Sequence, residues 1–184
     1  MPMWDVPTTH RFLDESQGTR YARIFEFAIS TGMRRSEICG LKWDAVGLES
    51  GRLEVVATLQ QIRGQGLVTG APKTTKSRRN ITRGHRPSNC CRWCKEPNNW
   101  PRLKRGHCGR SKATCVTQAD GSPVLPGTLT ENFKDLTRQL EMPPLTLHGL
   151  RHAFATLALQ AGMNPKVVSE ALGHSSVTIT LDTY

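Results

Sequence analysis

Several short stretches of this 184-residue sequence carry cationic and proton-carrying side chains that packing alone does not require. The stretch TGMRRSE places Arg34 two residues after Gly32. A glycine there ends one helix, so Arg34 begins the next, where the helix dipole already favours anions. A cation at this position indicates that it serves an external anion. The alternative is a solvated surface arginine.

The stretch HGLRHAFAT contains a histidine and an arginine three residues apart, His148 and Arg151. On a helix both project from one face, and that face borders the apolar stripe. The pair could bind a phosphate and transfer a proton, and His152, one helical turn after His148, could share the site. The alternative is a buried histidine beside an arginine that caps a carbonyl.

Two further residues stand near the end of the sequence. His174, in LGHSS, follows a predicted helix end, where loops often carry function, and Tyr184 stands ten residues later. Alone, neither residue is informative, because an exposed histidine and a C-terminal tyrosine are both ordinary features.

Together with PKTTKSRRNI, these blocks stand in the order TGMRRSEICGLKW, PKTTKSRRNI, HGLRHAFAT, LGHSSVTITLDTY. This arrangement resembles the catalytic domain of the tyrosine recombinases, the phage integrase family, over about residues 5–81 and 116–184. The resemblance implies six catalytic residues: Arg34, Lys73, His148, Arg151, His174 and Tyr184. It also implies that Glu37 supports the active-site arginine and is not itself catalytic.

The implied chemistry is attack of a phenol on a DNA phosphodiester. Two guanidinium groups would hold the negative charge that gathers on the phosphate oxygens in the transition state. A phenol has a pKa of about 10, so Tyr184 needs a base, and His148 is the expected one. Lys73 would protonate the leaving 5′ oxygen, and His174 would hydrogen-bond the phosphate or steady the tyrosine. No metal and no cofactor is expected.

Three more cations crowd the stretch that contains Lys73: Lys76, Arg78 and Arg79. We interpret them as contacts to the DNA phosphate backbone, each adding salt-dependent affinity. The alternative for each is a solvated strand edge that its charge protects from aggregation.

The net charge of +10 is concentrated in one segment. Residues 82–115 contain nine Lys/Arg and one acid, together with five of the six cysteines. Three interpretations remain open for this segment: a basic DNA-contacting loop, a shifted reading frame, or a zinc site. The candidate zinc ligands are Cys91, Cys94, Cys108, Cys115 and His107.

The periodicity predicts a mixed, mainly helical fold with a small three-stranded antiparallel sheet. Helices are predicted over 21–30, from 33, and over 130–140, 146–162, 165–172 and 176–184. Strands are predicted over 52–59, 67–68 and 77–81. We expect one integrase catalytic domain over 1–184, the tyrosine recombinase fold, without the family's N-terminal DNA-clamping domain and without the tail that follows the nucleophile.

The expected function is therefore a site-specific DNA recombinase or integrase that acts on double-stranded DNA and assembles into oligomers on it. Two alternatives stay open: an inactive DNA-binding remnant, and a strand transferase of the type IB topoisomerase kind. No apolar run approaches the roughly 20 residues of a membrane span, and the N-terminus lacks a signal-peptide pattern. We therefore expect a cytoplasmic protein with no membrane partner.

Overall fold

The computed structural model describes residues 3–47, 50–72, 77–82, 114–118, 120–174 and 176–183. Seven α-helices are found there: α1 Val6–Glu15, α2 Ala22–Thr31, α3 Arg35–Gly40, α4 Pro126–Gln139, α5 Gly149–Gln160, α6 Pro165–Leu172 and α7 Val177–Thr183. Five short strands are found: β1 Val46–Gly47, β2 Arg52–Glu54, β3 Thr58–Ile62, β4 Gly66–Gly70 and β5 Asn80–Thr82. A 3₁₀ turn, Trp43–Ala45, precedes β1.

The strands form two small antiparallel units. In the first, β2 lies between β1 and β5, with Leu53 opposite both Val46 and Ile81. In the second, β3 and β4 form a hairpin that runs from the Thr58–Gly70 pair to the Ile62–Gly66 pair. The mixed fold with a small antiparallel sheet is therefore as the sequence predicts.

The assignment of strands differs from the sequence prediction. The predicted strand 52–59 is divided into β2 and β3, and the 67–68 strand pairs with β3 in the hairpin rather than joining the three-stranded sheet. Where β3 begins, the chain passes close against the end of α3: a Cβ added at Gly40 would lie 2.7 Å from the backbone of Thr58 and Leu59.

The main core joins the N-terminal and C-terminal parts of the chain. Four aromatic rings pack together: Trp4, which precedes α1, Phe12 of α1, Phe25 of α2 and Phe133 of α4. The distances between ring centroids are 4.9 Å for Trp4–Phe12, 5.6 Å for Phe12–Phe133 and 5.2 Å for Phe25–Phe133. The Trp4 indole also donates to the carbonyl of Pro143 at 3.0 Å. A smaller apolar cluster lies between α5 and α6.

Local signals set most helix ends. Gly32 adopts φ 60° just after α2 and Gly173 adopts φ 65° just after α6, the left-handed conformation in which glycine is favoured. Asn164 accepts from the backbone of Lys166 at the start of α6. The predicted start of α4 at Thr130 is wrong: the helix begins at Pro126, whose fixed φ suits the first helical position.

After residue 113 the described chain packs beside the end of α3. Thr114 bridges to Lys42, and the backbone N–H of Cys115 donates to the carbonyl of Leu41 at 2.7 Å. Within the described ranges, no helix combines the length and the apolar character needed to cross a membrane.

Candidate active site

Arg34 lies at the start of α3, directly after the turn that Gly32 allows. Its backbone N–H donates to Glu37 Oε2 at 2.8 Å, and its guanidinium donates to Glu37 Oε1 at 2.9 Å. The Arg34 side chain keeps 37% of its surface exposed, whereas that of Glu37 keeps 1%. The contact expected between Glu37 and the arginine is therefore present, and Arg34 still reaches solvent.

Arg151 lies in the first turn of α5 and is 4% exposed. Its guanidinium donates to the carbonyl of Gly32 at 2.7 Å and to the carbonyl of Leu172. These carbonyls end α2 and α6, where helices leave acceptors unsatisfied and where the dipole favours a cation. Arg151 therefore caps carbonyls, as the alternative interpretation of the sequence predicted. The same contacts fix the position of its positive charge.

His148 and His152 lie at the start of α5, with ring centroids 5.1 Å apart and ring planes nearly perpendicular. Burial and then the neighbouring imidazole lower the pKa of His148, and the charges of Arg151 and Arg34 add to the effect. Burial and the charge of Arg151 also lower the pKa of His152. A histidine that is neutral near pH 7 is able to accept a proton.

His174 follows Gly173 at the end of α6. Its Nδ1 lies 2.9 Å from the hydroxyl of Thr180, a fully buried residue of α7. Burial lowers the pKa of His174 to about 4, and the charges of Arg151 and Arg34 contribute. His174 is therefore neutral at physiological pH and lies within the field of both arginines.

Arg79 is a correction to the sequence prediction. We expected it on the DNA backbone, but its side chain is 5% exposed and forms a bidentate ion pair with Glu37, with N–O distances of 3.1 and 2.9 Å. Its Nε donates to the carbonyl of Ala171 at 2.5 Å. A guanidinium committed to these internal acceptors is not a surface contact for DNA.

The structure brings four of the six predicted catalytic residues into one electrostatic neighbourhood: Arg34, His148, Arg151 and His174. The remaining two, Lys73 and Tyr184, lie outside the described residues, as does Lys76. Arg78 is exposed, as a contact to DNA requires.

The zinc interpretation stays a prediction. Cys91, Cys94, Cys108 and His107 lie outside the described residues, while Cys115 is 1% exposed and belongs to the main apolar core. Among the residues that the structure describes, no group of three or more potential metal ligands comes together.

Sequence reasoning missed Thr180 and placed Arg79 on the surface, although it is buried. Arg79 was detectable, because strand residues alternate between faces and Arg79 shares the face of Ile81, an apolar residue that the core should bury. Ser77, Arg79 and Ile81 are indeed buried, with Arg78 and Asn80 exposed between them. Thr180 had no comparable signal, because its partner His174 lies across a turn.

The comparisons with known proteins identify the family of this chain. A model of the phage integrase family matches residues 5–184, and the chain therefore belongs to that family. It is 29% identical, over 182 residues, to a protein named tyrosine recombinase XerC-like from Caldanaerobacter subterraneus subsp. tengcongensis, covering 91% of this chain and 46% of that protein. It is 25% identical to the ICEBs1 integrase of Bacillus subtilis, covering 89% of this chain and 44% of the relative.

Among solved structures, the integrase of the Tn1549 transposon in complex with circular intermediate DNA matches with a TM-score of 0.81 and 25% identity. The match covers 100% of this chain and 62% of that one. The fold is thus that of the tyrosine recombinase catalytic domain. The chain spans about half the length of the curated relatives that it matches.

Proposed function

We propose that this chain is the catalytic domain of a site-specific DNA recombinase or integrase, which cuts and rejoins DNA strands through a 3′-phosphotyrosyl link at Tyr184. One observation carries the proposal: the buried Arg151 guanidinium binds the carbonyls of Gly32 and Leu172, which stand two residues before Arg34 and two residues before His174, and it lies one helical turn from His148. Two fixed cations beside two groups able to accept or donate a proton suit a phosphate whose charge grows during reaction.

Each group has a separate task in this proposal. Arg34, still partly exposed, approaches the phosphate from the start of α3, and Arg151 contributes a charge fixed by two helix ends. His148 accepts the proton of the Tyr184 phenol, which attacks phosphorus and displaces the 5′ oxygen. Lys73 returns a proton to that oxygen. The new ester at the 3′ phosphate conserves bond energy, so that another 5′-OH can reverse the step without ATP.

The proposed partner is double-stranded DNA, on which we expect several copies of the chain to assemble, within the cytoplasm. The DNA in the Tn1549 integrase complex supports this partner. The exposed Arg78 is proposed to contact the phosphate backbone, together with Lys76 of the same stretch.

Covalent trapping tests the proposal. The protein is incubated with a pool of nicked duplexes of randomised sequence, in which the short fragment released by cleavage diffuses away and prevents rejoining. We expect an SDS-resistant adduct in which mass spectrometry finds a 3′-phosphorylated DNA end on Tyr184. Tyr184→Phe should abolish the adduct. The only other tyrosine, Tyr21, is buried in the core, so Tyr21→Phe is the matched control and should leave the adduct in place.

The other outcomes identify the alternatives. An adduct that persists in Tyr184→Phe contradicts the assigned nucleophile. A salt-sensitive gel shift without any adduct favours the DNA-binding remnant. Relaxation of supercoiled plasmid irrespective of sequence favours a strand transferase of the topoisomerase kind.

A further inference from the structure

Arg79 connects the two halves of the candidate site through one buried side chain. Two of its nitrogens bind the two carboxylate oxygens of Glu37, and its third nitrogen, Nε, binds the carbonyl of Ala171. Nη1 also donates to the carbonyl of Ser77 at 3.2 Å. Glu37 belongs to α3 and Ala171 to the last turn of α6, so a residue between β4 and β5 joins elements that lie far apart in the sequence.

The charges of this cluster do not cancel. Among the residues that the structure describes, Glu37 is the single carboxylate that faces two guanidinium groups, those of Arg79 and Arg34. Burial acts to raise the pKa of Glu37, but the hydrogen bonds and charge of Arg79, with a smaller contribution from Arg34, outweigh it and lower that pKa. Glu37 is thus ionised, and the buried Arg79 offsets its charge. The positive charge left over belongs to Arg34, the more exposed of the two arginines.

The second contact of Arg79 reaches the segment that bears His174. Arg79 binds the carbonyl of Ala171, and Arg151 binds the carbonyl of the next residue, Leu172. Gly173 then turns the chain with φ 65°, and His174 follows. Two arginines therefore hold the consecutive carbonyls of Ala171 and Leu172, from which one glycine leads to the histidine.

We propose that Arg79 is a positioning residue for the strand-transfer reaction: it neutralises and orients Glu37 so that Arg34 presents its charge to the phosphate, and it fixes the end of α6 that carries His174. The proposal rests on the proposed function. It assigns Arg79 no contact with DNA, in contrast to its exposed neighbour Arg78.

The test compares Arg79→Lys with Arg138→Lys. Lysine keeps the charge, but a single ammonium cannot bind both oxygens of Glu37 and the carbonyl of Ala171 in the same fixed geometry. Arg138 also pairs with a carboxylate, that of Asp135, but both side chains are largely exposed on α4. Both variants are assayed well below their unfolding midpoints, with gel shifts for DNA affinity and single-turnover trapping for cleavage.

We expect Arg79→Lys to bind DNA within twofold of wild type and to cleave about tenfold or more slowly, since small displacements of catalytic groups reduce rates by such factors. Arg138→Lys should match wild type in both measurements. A role limited to stability would leave the cleavage rate of the folded variant unchanged, and that result would overturn the proposal.

A second measurement does not depend on cleavage. NMR of the Arg34 side-chain Nε–H reports the order of that guanidinium in the protein without DNA. Wild type and Arg138→Lys should show an ordered Arg34, and Arg79→Lys a mobile one. If wild type forms no adduct but Arg34 order depends on Arg79, the proposed function fails and the anchoring of Arg34 stands. An equally ordered Arg34 in Arg79→Lys overturns the proposal.

Should Arg79→Lys fail to fold, Glu37→Asp replaces it in both measurements. The shorter carboxylate keeps the buried charge but is withdrawn by one methylene, so it cannot hold both arginines at the observed distances. The same expectations apply. If neither variant folds, the cluster serves folding in general and the specific positioning role is wrong.

Discussion

His174 shows how a single residue acquires its properties from neighbours that are distant in sequence. Its ring is partly buried, receives the field of Arg151 and Arg34, and contacts the Thr180 hydroxyl. These surroundings keep the imidazole neutral, so one ring nitrogen donates a hydrogen bond and the other accepts one. In the tautomer in which Nδ1 accepts from Thr180, the ring proton lies on Nε2 and is available for donation.

The lowered pKa of His174 predicts a pH dependence of stability. The unfolded chain has a histidine pKa of 6.5 and the folded chain one of about 4, so between these values the unfolded state binds more protons. Stability from His174 is complete above about pH 6.5 and is lost as the pH falls through about 4. Urea midpoints measured from pH 7 to 4 should therefore fall more steeply for wild type than for His174→Gln.

His148 and His152 also have lowered pKa values, so His174→Gln should retain a shallower dependence on pH rather than none. Glutamine keeps an amide that is able to hydrogen-bond Thr180, which limits the loss of packing. If the urea midpoint falls equally with pH in wild type and in His174→Gln, the proton bound on unfolding is not bound by His174.

At the scale of elements, the site is built where helix ends meet. The C-terminus of α2, the C-terminus of α6 and the start of α5 approach one another, and Arg151 binds carbonyls from the first two. The approach requires a small residue at Gly32, since a Cβ added there would lie 2.4 Å from the Phe154 ring and 2.9 Å from Leu172. Gly32 thus both allows the turn before Arg34 and lets the helices come together.

Gly32→Ala should be more destabilising than Gly162→Ala. Both glycines have positive φ, 60° and 78°, but a Cβ at Gly162 meets nothing within 4 Å. The left-handed conformation costs alanine about 1 kcal/mol at either position. Gly32→Ala should lose roughly 1–3 kcal/mol more, because Phe154 and Leu172 must move. Urea unfolding of the two variants measures the difference, and equal losses would show that the contact with Phe154 is not tight.

The elements that the sequence predicts well are those set by local chemistry. Gly32, Gly173 and the Asn164-Pro165 pair mark helix ends that the structure confirms. The division of the 52–59 strand has no comparable local signal, and the chain there lies against Gly40, a contact between separate elements. The burial of Arg79 could have been predicted from the alternation of strand residues, but its acceptors on α3 and α6, which lie 42 and 92 residues away in the sequence, could not.

At the scale of the whole molecule, burial divides the arginines by role. Arg79 and Arg151 are buried and hold internal acceptors, Arg34 is partly exposed beside them, and Arg78 is exposed. Part of the net charge of +10 is therefore carried by buried guanidinium groups that internal acceptors hold. A polyanion at the surface of the described residues would meet only the exposed arginines.

This division predicts that substitutions of the adjacent residues Arg78 and Arg79 change the salt dependence of DNA binding differently. If Arg78 binds a DNA phosphate, Arg78→Gln removes one counterion-releasing contact, and the slope of log K against log salt should fall by about 1. Arg79→Lys should leave the slope at the wild-type value, because Arg79 is buried. Arg138→Gln, on the exposed face of α4, controls for a simple change of net charge. Fluorescence anisotropy titrations over a range of salt concentrations give the slopes; equal slopes for Arg78→Gln and Arg138→Gln would show that Arg78 contributes only bulk charge.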